Sequence, residues 1–402
     1  MSTASITLLY ADDSGDIFDA PGVAAMGKSG TKNIALSKKD LIPLPEDAEL
    51  IALPQRMPLG EKNNELLPIL GQAVAAILPA GYIRLYAPAF AKEEVAEELS
   101  AEAYTAVALY KGEIYAAAAY TEFDDMWDSS RYNTESLAGL INQTKRDLPQ
   151  NNLVNKMAEY ALELYSCTAQ NLFYRRWETE IPVTECCNAK CLNCLLEAQS
   201  DEVDSIAIAQ EMADVGTYHL SNGNDAVLSF GHNCEGEPAL IADDIAAAIK
   251  MIRSKTDKGQ ININTNAGNT AAIMKIVDAG LDRMCVNIIS AIPENYKAYY
   301  RSDYDFDDVM QSLIYAKSKG VYITLDMLYF PGFNDDKKEA AAWRKFLRKT
   351  SVDKIQVRNL NIDPDVFLAV MPQLEDALGL KMFLGGLKGE FPDMAITAIS
   401  NS

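Results

Sequence analysis

The sequence predicts an α/β fold, in which a parallel sheet of repeated strand–helix units follows a small, mostly β N-terminal segment. Three observations carry this. Strand-like runs at 180–186, 226–231, 261–266, 283–290, 321–330 and 354–360 alternate with longer stretches of helical periodicity. Gly280 and Gly320 stand where two of those helices should stop. The 402 residues are 49% hydrophobic and 23% charged, enough to bury a large core. Repeated βα units imply right-handed crossovers between parallel strands, and six of them are too few for a closed eight-stranded barrel.

Taken in order, residues 1–130 form a mostly β accessory domain. Its strand-like pieces are Ile6 to Tyr10, Ala48 to Leu53, Tyr82 to Tyr86, and a hairpin of 103–110 with 113–120 across Lys111-Gly112. Nothing in it is site-like, so it reads as a stability cap, with a docking surface as the sharper reading. Residues 131–178 form a helical connector with apolar stripes at Leu137, Leu140, Ile141 and Leu148, then at Leu153, Met157, Tyr160, Ala161, Leu164 and Tyr165. Cys167 is placed on the second helix as a core residue. Arg175 and Arg176 lie at its end, where cations complement the helix dipole. Residues 179–365 hold the strand–helix repeats, and 366–402 a short helix and tail covering one end.

The 57 acidic residues exceed the 36 Lys and Arg, a formal charge of −21 that repels phosphate backbones and anionic lipid. No segment offers an uninterrupted membrane-length apolar run. A cytoplasmic protein that binds neither nucleic acid nor membrane is expected. Four of the seven cysteines crowd into residues 186–194, which fits a metal centre in a reducing compartment better than a disulfide framework.

Counting from Cys187, the thiols of Cys187, Cys191 and Cys194 stand at C-x3-C-x2-C directly after the first strand. Thiolates favour iron–sulfur clusters and zinc. A structural zinc site would need a fourth Cys or His at pair-like spacing, and His219 and His232 are in no paired motif. A four-iron cluster ordinarily takes four cysteines, so three leave one iron open. Cys186 falls outside the spacing and is expected to end the strand facing the core.

These three cysteines, with Gly236-Glu237-Pro238 after the second strand, resemble the radical S-adenosylmethionine (radical SAM) superfamily over roughly residues 179–365. The resemblance implies a six-stranded partial barrel, (β/α)6, of TIM-barrel type. It implies a [4Fe-4S] cluster on Cys187, Cys191 and Cys194, with S-adenosylmethionine chelating the open iron, and a flavodoxin or ferredoxin-type reductant. Reductive cleavage of that cofactor to a 5′-deoxyadenosyl radical, then hydrogen abstraction from a small molecule or peptide, is the oxidoreductase chemistry implied. Asn193 stands where the family usually has an aromatic beside the adenine. Gly236, Glu237 and Pro238 would meet the methionyl amine. Asn264 and Asn266 lie on a strand end similar to the family's Thr-Asn-Gly, and Asn287 aligns with a ribose-contacting serine, Ser290 being the next candidate. Asn359, in a dense polar set on the sixth strand, is a further candidate cofactor contact.

Three residues are candidates for substrate chemistry. His232 and Cys234, beside the Gly-Glu-Pro turn, could shuttle a proton or hydrogen atom. Arg358 could clamp a carboxylate bidentately, or pair with an acidic residue of the barrel. A non-catalytic iron–sulfur electron-transfer or sensing protein on the same fold is the alternative reading.

Overall fold

The computed structural model describes residues 5–121, 132–192, 194, 205–232, 235–372 and 376–398. Two sheets dominate. The N-terminal one has twelve strands paired antiparallel throughout. Its Thr105–Tyr110/Glu113–Ala116 hairpin turns on Lys111 (φ 56) and Gly112 (φ 85), the double positive φ that matches the twist of paired strands. The second arm of the expected hairpin breaks at Ala117. Ala118–Tyr120 leaves to pair with Tyr82–Arg84.

The second sheet has seven parallel strands in chain order: Arg176–Ile181, Asn224–Phe230, Gln260–Thr265, Arg283–Ile288, Tyr322–Tyr329, Lys354–Asn359 and Ala395–Ala398. They are numbered here one to seven. All six crossovers carry helices, and four of these, Ala242–Lys255, Thr270–Asp278, Phe306–Ser318 and Lys337–Thr350, fall on the stretches of helical periodicity between the predicted strands. Gly280 (φ 112) and Gly320 (φ 85) take the left-handed turns that end two of these helices. Leu228, Ile263, Val286, Leu325 and Val357 alternate onto the outer face and are buried with Ile249, Ile276, Leu313 and Trp343 from the helices. Each such side chain taken out of water stabilises by about 1.5–3 kcal/mol.

Three features differ from the sequence reading. Strand one runs from Arg176 to Ile181 rather than to 186; Pro182 has no N–H to continue the ladder. Residues 395–398 are a seventh strand in parallel register with Lys354–Val357 rather than an irregular tail. Finally, the helix Asn152–Leu162 stops early, so Leu164 and Tyr165 are exposed. Cys167 then opens a separate helix, Cys167–Tyr174, capped by the Ser166 hydroxyl. That helix packs beside strand one, which has a strand neighbour on one side only.

The N-terminal region seats on the far ends of strands five and six. Fully buried Arg84 donates to the Leu360 carbonyl (2.7 Å), and Arg56 pairs with Asp363 (3.2 Å). At Gly332 a Cβ would fall 2.1 Å from the Gly30 nitrogen, so only glycine permits that approach. Among the described residues no helix is long and apolar enough to cross a membrane.

Candidate active site

The cysteine segment is held by backbone and by one buried carboxylate. Lys190 and Leu192 N–H groups donate to the Tyr300 and Tyr299 carbonyls (2.8 and 2.9 Å), and the Asp303 N–H donates to the Asn188 carbonyl (3.1 Å). From the other side the Glu237 N–H donates to the Cys186 carbonyl at 2.7 Å. The Glu237 carboxylate, only 2% exposed, accepts from the Ala239 N–H (2.9 Å), the Asn266 N–H (2.7 Å) and the Thr265 hydroxyl. Burial pushes this carboxyl up while those donors pull it down. Asn266 also donates to the Asn188 side chain at 2.6 Å, so the end of strand three grips the cysteine segment directly. Gly236 (φ 82) lies so close that a Cβ would sit 2.1 Å from the Thr184 carbonyl oxygen. Glu237 thus serves as an orienting clamp, with both oxygens turned to its own loop and strand three. Pro238 opens the short helical turn Pro238–Ile241, preset by its ring.

The inner face of the sheet is polar where closed barrels are filled by bulky branched side chains. A cavity of about 470 Å³ runs along it. Its wall includes Glu178 and Glu180 from strand one, Asn262 and Asn264 from strand three, Cys285 and Asn287 from strand four. Asp326 from strand five, and Gln356 and Arg358 from strand six, complete it. The parallel register explains the grouping: Asn287 lies opposite Asp326, and Asp326 opposite Gln356. Glu180 accepts from Asn264 (3.0 Å) and Thr168 (3.2 Å). Burial, reinforced by the Glu178 carboxylate, holds Glu180 well above the usual carboxylate range. Burial likewise pushes the Cys285 thiol far up, so it stands at the wall as a neutral thiol.

His232, 2% exposed, hydrogen-bonds through Nε2 to the Ser166 hydroxyl (2.9 Å) and has Nδ1 3.6 Å from Glu235. Glu235 also accepts from the Tyr160 hydroxyl at 2.8 Å. These contacts orient the imidazole at the cavity wall. Arg358 forms an ion pair with Asp326, its Nε 3.2 Å from Oδ2, which is the barrel-acid pairing weighed for it from sequence.

Two expected cofactor contacts are redirected. The Asn359 amide donates to the Tyr82 carbonyl (2.9 Å) and accepts from the Arg84 N–H (3.0 Å), so it fastens the strand Tyr82–Arg84 of the N-terminal region. Ser290 is fully buried and donates to Glu339 at 2.6 Å, together with Asn295, also at 2.6 Å. Neither side chain is turned to the cavity. Asn193 and Cys234 lie outside the described residues.

The Glu339 carboxyl carries a pH signature. Burial pushes it up to about 7 from an ordinary 4.5. The fold therefore holds this proton more tightly than the unfolded chain. Stability from the group is fully present below pH 4.5 and is lost as pH rises through about 7. Glu339→Gln keeps an acceptor for Ser290 and Asn295 but cannot ionise. Its melting temperature should exceed that of the unmodified chain at pH 8, by an amount worth up to about 3 kcal/mol, and the gap should shrink to under about 1 kcal/mol by pH 5. Thermal melts across that range check this, and a pH-independent gap contradicts it.

Residues 181–343 match the radical SAM superfamily. This stretch is a radical SAM domain. Its relatives include a probable GTP 3′,8-cyclase of Methanocella arvoryzae, 27% identical over 161 residues, which are 39% of this chain and 49% of that protein. A protein of the same description from Methanococcus maripaludis is 30% identical over 118 residues, 29% of this chain and 38% of that one. The chain thus spans about half or less of the curated relatives it matches. Among solved structures, methylornithine synthase aligns at 16% identity and a TM-score of 0.40, covering 64% of this chain and 78% of the other. Streptococcus suis SuiB bound to S-adenosylmethionine aligns at 12% identity and 0.40, covering 74% and 69%.

The radical SAM superfamily uses a [4Fe-4S] cluster and S-adenosylmethionine. Among the described residues no three His, Cys, Asp or Glu side chains are already gathered into a metal-holding group. The fit therefore rests on donor chemistry and anchorage: three thiols at cluster spacing on a backbone tied at several points, with Cys194 exposed and Cys187 and Cys191 half-buried. Asn264, Asn266 and Asn287 are on the strand ends expected of them, but only Asn264 and Asn287 line the cavity. Sequence reasoning missed Glu178, Glu180 and Asp326. The signal was there in Glu178-Thr179-Glu180 at strand alternation and in a lone acid within the apolar run of strand five.

Proposed function

We propose that the chain is a radical SAM enzyme whose substrate occupies the polar barrel cavity. The observation that carries this is the Glu237–Asn266 clamp, which ties the cysteine segment to the end of strand three, a strand that lines the polar cavity through Asn262 and Asn264. In this reading Cys187, Cys191 and Cys194 hold the cluster, the Gly236-Glu237-Pro238 turn shapes the cofactor side, and a one-electron protein reductant feeds the site. When bound, the cluster and S-adenosylmethionine would supply one-electron radical chemistry for hydrogen abstraction. The protein's own residues orient the substrate and exclude water, and His232, positioned by Ser166 and Glu235, is the candidate to carry a proton at the wall.

The relatives named for GTP do not make this chain a GTP enzyme. The cavity is lined by Glu178, Glu180, Glu235 and Asp326 against Arg283, Lys354 and Arg358, a charge balance unsuited to a triphosphate. The test is anaerobic cluster reconstitution followed by dithionite and S-adenosylmethionine. Formation of 5′-deoxyadenosine is expected. A loaded cluster that yields none supports the electron-transfer or sensing alternative.

A further inference from the structure

Asp326 is a buried acid with unfinished hydrogen bonding. It is 4% exposed, lines the cavity, and spends Oδ2 on Arg358, while its Oδ1 has no hydrogen-bond partner among the described residues. Leaving a buried carboxylate oxygen unpaired costs free energy unless a ligand donor completes it. Arg358 faces the same cavity with 30% of its side chain accessible. The pair is neutral as a unit, yet it presents a charged acceptor beside a charged donor. A ligand matching both has an ammonium next to a carboxylate, because charge-assisted hydrogen bonds are about twice as strong as neutral ones. A neutral amide edge would leave both charges poorly compensated. Asn287 and Gln356, directly across the register from Asp326, supply adaptable neutral groups around that ligand.

We infer that the Asp326–Arg358 pair anchors the zwitterionic end of an α-amino-acid substrate, the ammonium on Asp326 Oδ1 and the carboxylate on the Arg358 guanidinium. This rests on the cavity being the substrate site of the proposed enzyme. S-adenosylmethionine carries the same zwitterion, so the test separates the two ligands.

The reconstituted protein, saturated with S-adenosylmethionine, is titrated calorimetrically with each proteinogenic L-α-amino acid. Any that binds is compared with its decarboxylated amine and its N-acetyl derivative. At least one amino acid should bind, lose its affinity when either charge is removed, and bind at least about tenfold more weakly to Asp326→Asn and to Arg358→Gln. Affinity for S-adenosylmethionine itself should be unchanged in both variants. Should Arg358→Gln fail to fold, the double variant Asp326→Asn/Arg358→Gln removes both charges together and serves in its place. Four results overturn the inference: no amino acid binds, the singly charged analogues bind as tightly as the parent, guanosine or cytidine binds in their place, or Asp326→Asn weakens S-adenosylmethionine tenfold. A protein that binds an amino acid as stated but never yields 5′-deoxyadenosine instead counts against the enzyme reading alone.

Discussion

Replacing any one of Cys187, Cys191 or Cys194 by alanine is expected to leave the reconstituted protein with less than about one iron per chain where the parent holds about four, and to bring S-adenosylmethionine cleavage down to that of a cluster-free control. With three thiolates and an open iron there is no ligand to spare. Cys186 does not replace a lost neighbour, since it is buried and its carbonyl is committed to the Glu237 N–H. Cys186→Ala therefore serves as the matched control and should retain iron. Iron analysis and the visible absorbance of the anaerobic protein read out both. Full iron retention in Cys194→Ala, the variant at the exposed position, would remove that residue from the ligand set.

The second large effect is expected at the turn beneath the loop. Gly236→Ala places a methyl 2.1 Å from the Thr184 carbonyl oxygen and 2.8 Å from that of Cys186, with backbone atoms on the other side that have no rotamer to yield. The left-handed backbone adds about 1–2 kcal/mol for a residue with a Cβ. The segment carrying the cysteines must shift as a whole. Iron uptake should fall at least about tenfold, while the melting temperature of the barrel, whose core lies on the opposite face, drops by only a few degrees. Glu237→Gln should fall between this variant and the parent, because the amide keeps one acceptor for three donors. A Gly236→Ala protein that loads iron normally would show that the close approach is dispensable.

What could be read from the sequence follows how local each signal is. The strands of the second sheet declare themselves because Ile, Val and Leu recur at every other position against their helices, and the cysteine triad is a spacing within eight residues. Partners far along the chain were illegible. Asn359 looks like a site residue until its hydrogen bonds to Tyr82 and Arg84, about 275 positions away, are seen. Ser290 likewise meets Glu339 only through the tertiary fold. In the N-terminal region the strands Arg56–Lys62 and Gln72–Ile77 passed unnoticed. Arg56–Lys62 is interrupted by Pro58 and Gly60 and Gln72–Ile77 is half Ala, so their pairing rests on neighbours rather than intrinsic preference. The same limit hid Asp326: one acid in strand five is uninformative until register sets it across from Asn287 and Gln356.

An incompletely closed barrel leaves two lateral margins, and an open margin is a template on which another chain can add itself strand by strand. Here neither is a long bare ribbon. The helix Cys167–Tyr174 lies along strand one, and strand seven, four residues from Ala395 to Ala398, finishes the other side. Among the described residues that run is short and gives an incoming strand little to grip, so the opening this architecture keeps for its ligands need not make the protein prone to polymerise.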